Sequence, residues 1–357
     1  METYNKKTIL VCGGAGFIGS NFIHSILKKY PKVRLINLDK LTYSGNLDNL
    51  KDIEKDKRYH FVKGDISSEK TVTAVFKKYK PDYVANFAAE THVDRSIHVG
   101  ALEFIKTNIQ GVFNLLEAVK GNKGVIKYLQ VSTDEVYGTL ALDSKDKFTE
   151  TTAFDPNVPY AATKAGGDLL CNAYHTTWKV PVVVTHCSNN YGPYQYPEKV
   201  IPFFTVRMLE GKTLPLYGDG KNVRDWIYVL DHCNALELAL LNGVSGEVYN
   251  IGADNELSNV EIATMIAKQF GKGTECFEFV SDRPGHDRRY AIDSTKTERE
   301  LGWKPEYSFK QAFKETVEWY KNNQKWVQKI QKKTGVFNPH IDLWKAHQIK
   351  KKIENRK

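Results

Sequence analysis

Residues 8–20 read TILVCGGAGFIGS. A short apolar run passes directly into Gly13, Gly16 and Gly19, spaced GxxGxxG, and then into the helical stretch GSNFIHSILKKY (19–30). The chain must turn tightly from strand to helix here. Gly13 permits the turn, Gly16 lets the backbone come close to a bound group, and Gly19 lets the helix pack against the strand. Phe17 and Ile18 begin the helix, whose free N–H groups and positive dipole end suit a pyrophosphate. Asp39 closes the next apolar run, VRLINLD (33–39), where a carboxylate can bind the adenosine ribose hydroxyls and repel a 2′-phosphate. The unit predicts a dinucleotide site that favours NAD over NADP, with the adjacent Lys40 opposing that preference.

The same texture continues outward. YHFVK (59–63), DYVANFA (82–88), IKYLQVS (126–132) and VPVVVTHC (180–187) are nearly continuous apolar runs, as in parallel strands buried on both faces. Helical stretches such as ALEFIKTNIQGVFNLLEAVK (101–120) separate them. The alternation predicts an α/β fold: a Rossmann-type doubly wound parallel sheet over residues 1–190, with a returning strand near 225–255. From about residue 192 proline and glycine punctuate the chain, which predicts a smaller mixed C-terminal substrate-binding domain over 191–320. Asp65 and Ile66 in GDI fall beside the expected adenine position. Ala88 and Ala89 in FAAET are small enough for the backbone to pass close to the dinucleotide.

The bulk properties exclude several classes. No run of eighteen apolar residues suggests a membrane span, and METYNKK leads into a strand without a signal-peptide core. Five scattered cysteines without a CxxC pair read as reduced thiols of a cytoplasmic protein, with no disulfide framework and no metal site. The net charge of +9 lies entirely in residues 321–357, which hold 11 Lys/Arg against 2 Asp/Glu. The basicity is therefore a tail property and predicts no nucleic-acid surface. Trp326, Ile330, Ile341, Trp344 and Ile349 predict a basic helical extension. It should form two short amphipathic helices broken at TGVFNPH and packed on the body or a neighbouring subunit.

Two further stretches carry chemistry. YAATK places Tyr160 and Lys164 one helical turn apart. For a phenol to act as a base near neutrality its pKa must fall by roughly three units, about 4 kcal/mol, and a nearby ammonium can supply part of that. In VSTDEVYG (131–138) Asp134 and Glu135 are adjacent at a strand end. Neighbours in an extended strand point oppositely, so both carboxyls can face one substrate only if the strand ends at Thr133 and the chain turns. Acid–base work by such a pair requires one protonated and one ionised carboxyl, which unequal burial and mutual repulsion can produce.

GxxGxxG followed by YxxxK resembles the extended short-chain dehydrogenase/reductase superfamily. More narrowly, FAAETHVDRSI, STDEVYG, CSNNYGPYQYPEKVIP, YGDGKNVRDWIYV and DRPGHDRRYAID resemble the dTDP-glucose 4,6-dehydratases of deoxysugar (rhamnose-type) pathways, over roughly residues 8–320. The resemblance implies oxidation of dTDP-glucose at C4, loss of water across C5–C6 and return of the hydride to C6. Tyr160 would take the C4 hydroxyl proton with Lys164 lowering its pKa, Glu135 the C5 proton, and Asp134 would protonate the departing hydroxyl beside Thr133. It implies Thr42, Thr107 and Asn190 as further NAD contacts. Thr91, Thr133, Asn189, Lys199, Val200, Pro215, Tyr217, Arg224, Asn259, Arg283 and His286 become nucleotide-sugar contacts. It also implies a homodimer through a four-helix interface built from 101–120 and 160–178. Three positions depart from the family pattern: Cys12 for Thr, His186 for Asn or Arg, and Leu230 for an acidic residue. A dehydratase of a UDP- or GDP-linked N-acetylhexosamine, an epimerase, and a non-catalytic dinucleotide sensor are the alternatives. The acidic pair, which a simple epimerase does not need, and the intact Tyr160 and Lys164 argue against the last two.

Overall fold

In the computed structural model, which describes residues 3–334 and 338–354, β1 (Thr8–Cys12) lies inside a seven-stranded sheet. The other strands are β2 (Arg34–Asp39), β3 (Tyr59–Lys63), β4 (Tyr83–Asn86), β5 (Lys127–Thr133), β6 (Val182–Cys187), β7 (Asn189–Tyr191), β8 (Leu214–Tyr217), β9 (Val223–Tyr228), β10 (Val248–Ile251), β11 (Glu256–Ser258) and β12 (Phe277–Val280). The large sheet runs β10–β6–β5–β4–β1–β2–β3, with every pairing parallel. All residues of β4, β5 and β6 are buried, as expected of parallel strands covered on both faces, and the polar ones among them, such as Asn86, Gln130 and His186, are buried with the rest.

Strand order reverses between β1 and β4, and the glycine loop sits at the top of that seam. Gly13 has φ +78°, and a Cβ there would lie 2.6 Å from the Ala88 nitrogen. A Cβ on Gly19 would lie 2.4 Å from the Gly13 carbonyl oxygen. Both positions therefore require glycine, and the helix Phe17–Lys29 follows at once.

Two elements differ from the sequence expectation. The run 82–88 forms a strand only to Asn86, because the Asn86 side-chain oxygen accepts the Ala88 N–H (3.2 Å) and turns the chain. The stretch 101–120 is not one α-helix. It is Leu102–Ile105, a π turn Lys106–Gly111, and Val112–Gly121. The wide turn lets the Asn108 side chain bond both backbone groups of Glu90, at 2.9 and 3.0 Å, and the Thr163 hydroxyl. It thereby ties the loop after β4 to the helix Pro159–Trp178.

The second lobe starts where β6 ends. β7 and β11 flank β9 in a mixed sheet, β8 pairs with β12, and the helices Val200–Leu209, Asn259–Gln269 and Phe309–Asn322 cover them. The tail forms Gln324–Thr334 and Pro339–Glu354. The expected break at TGVFNPH falls partly on 335–337, outside the described residues, as does the Ile349 side chain. Trp326 Nε1 donates to Asn49 Oδ1 (2.9 Å), and Val327, Ile330 and Ile341 are buried. Among the described residues no helix is long and apolar enough to cross a membrane.

Gly13→Ala should strain the β1 turn and push on Ala88. The expected cost is about 1–3 kcal/mol, read as a lowered denaturation midpoint. An unchanged midpoint would mean the seam is not closed as described.

Candidate active site

A cavity of about 260 Å³ opens above the seam, and every residue singled out as a dinucleotide contact lines it. Asp39 is buried, with Oδ2 accepting the Ala15 N–H (2.9 Å) and Oδ1 the Leu41 N–H (2.7 Å). It therefore braces the glycine loop and keeps one lone pair on each oxygen for a further donor. Lys40 is engaged by Asp65 at 2.8 Å. It is thus occupied by a carboxylate rather than offered to a 2′-phosphate. The glycine cradle, the helix N-terminus and this acidic corner fit an adenine dinucleotide without a 2′-phosphate.

The opposite end of the cavity carries the acid–base groups. β5 ends at Thr133, and Asp134–Tyr137 forms a single 3₁₀ turn. The Thr133 hydroxyl caps it by accepting the Glu135 N–H (3.3 Å). This is the turn that the adjacent carboxyls required. Asp134 is 1% exposed and Glu135 half-buried. Burial pushes the Asp134 carboxyl well above its usual value, and the charges of Glu135 and Asp225 push it further. Burial raises Glu135 too, but Lys199, Arg283 and Arg224 all pull it back. The surroundings therefore divide the pair, raising Asp134 well above its ordinary value and Glu135 less, so that the proton is held more firmly on Asp134.

Tyr160 and Lys164 lie on the first turns of the helix Pro159–Trp178 and face the same cavity. Burial holds the Tyr160 phenol well above its ordinary value, the Glu135 charge adds to this, and a Thr133 hydrogen bond opposes it. Lys164 is pushed down by burial, and its Nζ donates to the Val131 carbonyl (2.7 Å). The part of the Tyr160 lowering expected from the Lys164 ammonium is not among the main effects on the phenol.

A second cavity of about 160 Å³ continues from the first through Glu135, Asn189 and Lys199. Val200, Pro215, Tyr217, Arg224, Asn259, Arg283 and His286 line it, while Thr91 and Thr133 line the first. Arg224 lies 4.1 Å over the Tyr290 ring and donates to the Asp287 carbonyl (3.0 Å). His286 is driven down to about 3 by burial and by Arg283 and Arg224, so the ring is neutral near pH 7. Its Nδ1–H donates to Asp282 (2.6 Å), leaving Nε2 as an acceptor. Asn189 Oδ1, Asn259 Oδ1, Arg283 Nε and Asp134 Oδ2 are buried polar atoms with no hydrogen-bond partner among the described residues. Their concentration along the two joined cavities marks a place for a polar ligand.

Sequence reasoning missed three contributors. Asp94 accepts from Arg283 Nη1 (3.1 Å) and from the Tyr217 hydroxyl (2.9 Å), fixing both. The only sequence signal was its place inside FAAETHVDRSI. Asn338 and Ile341 bring the tail into the wall of the second cavity. His340 anchors that segment: its Nε2–H donates to the Ser281 carbonyl (3.0 Å), and its Nδ1 pairs with His98 Nε2 (3.2 Å). Amphipathic spacing showed that Ile341 would be buried, not against what.

The fold and the site together define a dinucleotide-dependent α/β enzyme of the short-chain dehydrogenase type. The family profile described as GDP-mannose 4,6 dehydratase matches residues 10–316, and the chain belongs to that family. It is 48% identical over 340 residues to a dTDP-glucose 4,6-dehydratase of Xanthomonas campestris pv. campestris (strain B100), covering 90% of this chain and 95% of that protein. It is 45% identical over 356 residues to one of Salmonella typhimurium, covering 94% and 98%. The crystal structure of dTDP-glucose 4,6-dehydratase from Bacillus anthracis in complex with NAD superposes with TM-score 0.85 at 48% identity, covering 91% and 99%.

The raised Asp134 carboxyl has a consequence for stability. The folded chain holds this proton more tightly than the unfolded chain, so stability falls as pH climbs from the ordinary carboxylate range through the raised value. Asp134→Asn removes that loss. The variant should melt higher than the parent, by a margin larger at pH 8 than at pH 4. A margin that shrinks with pH would contradict a raised value.

Proposed function

We propose that the protein is an NAD-dependent dTDP-glucose 4,6-dehydratase, a lyase that converts dTDP-glucose to dTDP-4-keto-6-deoxy-glucose. The observation that carries this reading is the divided carboxyl pair on its own turn, beside Tyr160 and Lys164 in one cavity. The named relatives support it across nearly the whole chain.

Residues 1–190 with β10 would hold the dinucleotide, 191–320 the nucleotide sugar, and 321–357 would form an extension. Arg224, Arg283 and Lys199 provide cations for a diphosphate, and Pro215 and Tyr217 a surface for the base. What NAD supplies when bound is a temporary home for the C4 hydride, released again at C6, and a positive ring over the pocket floor. Lys164 holds the nicotinamide ribose. Tyr160 accepts the C4 hydroxyl proton, while Thr133 hydrogen-bonds the C4 oxygen. The new ketone acidifies C5–H, and ionised Glu135 removes that proton. Protonated Asp134 gives its proton to the C6 hydroxyl, which leaves as water. Glu135 then returns a proton to C5 as C6 is reduced. Redox balance is internal, so no cofactor is consumed.

We read the protein as cytoplasmic, since all five thiols are free, and as a source of deoxysugar precursors of the rhamnose type. We also read it as a homodimer. Leu102, Ile105 and Phe113 on the stretch 102–121, and Leu169 and Trp178 on the helix Pro159–Trp178, are 43–63% exposed, an apolar face that a second copy can cover.

Incubation with a panel of nucleotide hexoses, followed by mass spectrometry, tests the reaction. dTDP-glucose should lose one water with no net cofactor use; turnover restricted to a UDP- or GDP-linked N-acetylhexosamine would reassign the substrate. Glu135→Gln should yield a sugar short of two hydrogens but retaining its water, and Tyr160→Phe unchanged sugar. Full dehydration by either variant at the parental rate would remove its assigned role. Light scattering at micromolar concentration should give a dimer, and Leu169→Glu with Phe113→Glu a monomer. A monomeric parent protein would refute the four-helix interface.

A further inference from the structure

Beneath the acid–base turn lies a chain of buried polar groups that the mechanism does not use and that meets the first cavity at its Ser132 end. It runs from Asn250 through Tyr137, His186 and Asp168 to Ser132, all 4% exposed or less. Each comes from a different element: β10, the 134–137 turn, β6, the helix Pro159–Trp178, and β5. His186 is also one of the three positions that depart from the family pattern.

The protons can be placed by counting donors. Asn250 Nδ2 donates to the Phe148 carbonyl (3.0 Å), so Oδ1 faces Tyr137 as an acceptor. The Tyr137 hydroxyl gives its single proton to that Oδ1 (2.9 Å). It therefore meets His186 Nδ1, at 2.6 Å, as an acceptor, and Nδ1 must carry a hydrogen. His186 Nε2 lies 3.2 Å from Asp168 Oδ2, which also accepts from the Ser132 hydroxyl at 2.5 Å. One proton must lie between Nε2 and Asp168. That proton is shared between the imidazole and the carboxyl, and with it in place all four bonds are made together.

This chain of bonds joins the two halves of the machinery. Tyr137 closes the turn that bears Asp134 and Glu135, whereas Asp168 lies one helical turn beyond Lys164 on the helix that also bears Tyr160. We propose that His186 is a positioning residue which, through Tyr137 on one side and Asp168 on the other, sets the acid–base turn against the Tyr160–Lys164 helix for the water-loss stage. The inference rests on the dehydratase reading for its kinetic consequence, but not for the hydrogen-bonded chain itself. C4 oxidation uses groups on the helix, and elimination uses groups on the turn. Loosening the turn should therefore slow the second stage more than the first. Small displacements of catalytic groups are costly, on the order of 100-fold for about 1 Å.

Two full-length variants separate the possibilities. Tyr137→Phe keeps the ring, which stacks on Phe148, and loses only the hydroxyl link. His186→Asn can still place a polar atom near the Nδ1 position, opposite Tyr137, but stops short of Asp168, which Nε2 meets. Each should slow release of dehydrated product about tenfold or more. Each should also accumulate C4-oxidised, undehydrated sugar, with an unchanged KM and a double variant no slower than the slower single one. An equal slowing of both stages, or none, would overturn the proposal. In parallel, ¹⁵N NMR of the histidines in the parent holoenzyme should show His186 Nδ1 protonated, with its signal shifting in Tyr137→Phe. An unprotonated Nδ1 would overturn the assignment even if no nucleotide sugar is turned over, so failure of the substrate reading remains distinguishable.

Discussion

Keeping a carboxyl almost wholly out of water is the constraint around which this molecule is organised. Asp134 sits at the mouth of a sheet whose central strands are buried on both faces, and a negative charge alone there would be costly. Protonation is the cheaper state, and the neighbouring charge of Glu135 reinforces it. Burial raises Glu135 as well, and the cations of the second lobe, Lys199, Arg283 and Arg224, pull it back down. Those cations are themselves held by acceptors: Arg283 by Asp94, Arg224 by backbone carbonyls, Lys199 by the Thr91 carbonyl at 2.9 Å. One lobe thus supplies the acid–base pair, and the other supplies the field that divides it.

The same logic accounts for Tyr160. A phenol walled in by apolar surface and a carboxylate resists ionisation. Lys164, bonded to a main-chain carbonyl, does not reverse that. The phenol is held protonated by the polypeptide itself, and positive charge brought into the pocket would oppose that hold. The arrangement guards a reactive group by electrostatics rather than by a moving element.

Local patterns recovered much of this from the chain alone. The glycine spacing, Asp39 and the parallel strands are short-range signals, and the seam between β1 and β4 follows from them. The turn after Thr133 was legible too, because two adjacent carboxyls cannot face one ligand from an extended strand. What escaped was set by competition or by distance. DYVANFA reads as seven strand residues, yet a side-chain turn at Asn86 stops it, and the apolar remainder covers the cavity. The π turn at Lys106–Gly111 answers to Asn108 reaching Glu90, a tertiary contact with no sequence period. Asp94 and Ile341 meet the site only through folding across more than a hundred residues. No spacing rule could have assigned them to it.

The wall contributed by Asn338 and Ile341 also has a temporal meaning. Among the described residues, those lining the dinucleotide cavity end at Lys199, within the first two-thirds of the chain. The second cavity cannot close until residue 341 has left the ribosome and His340 has found His98 and Ser281. A translation product truncated before residue 338 would carry the catalytic groups behind an incomplete pocket.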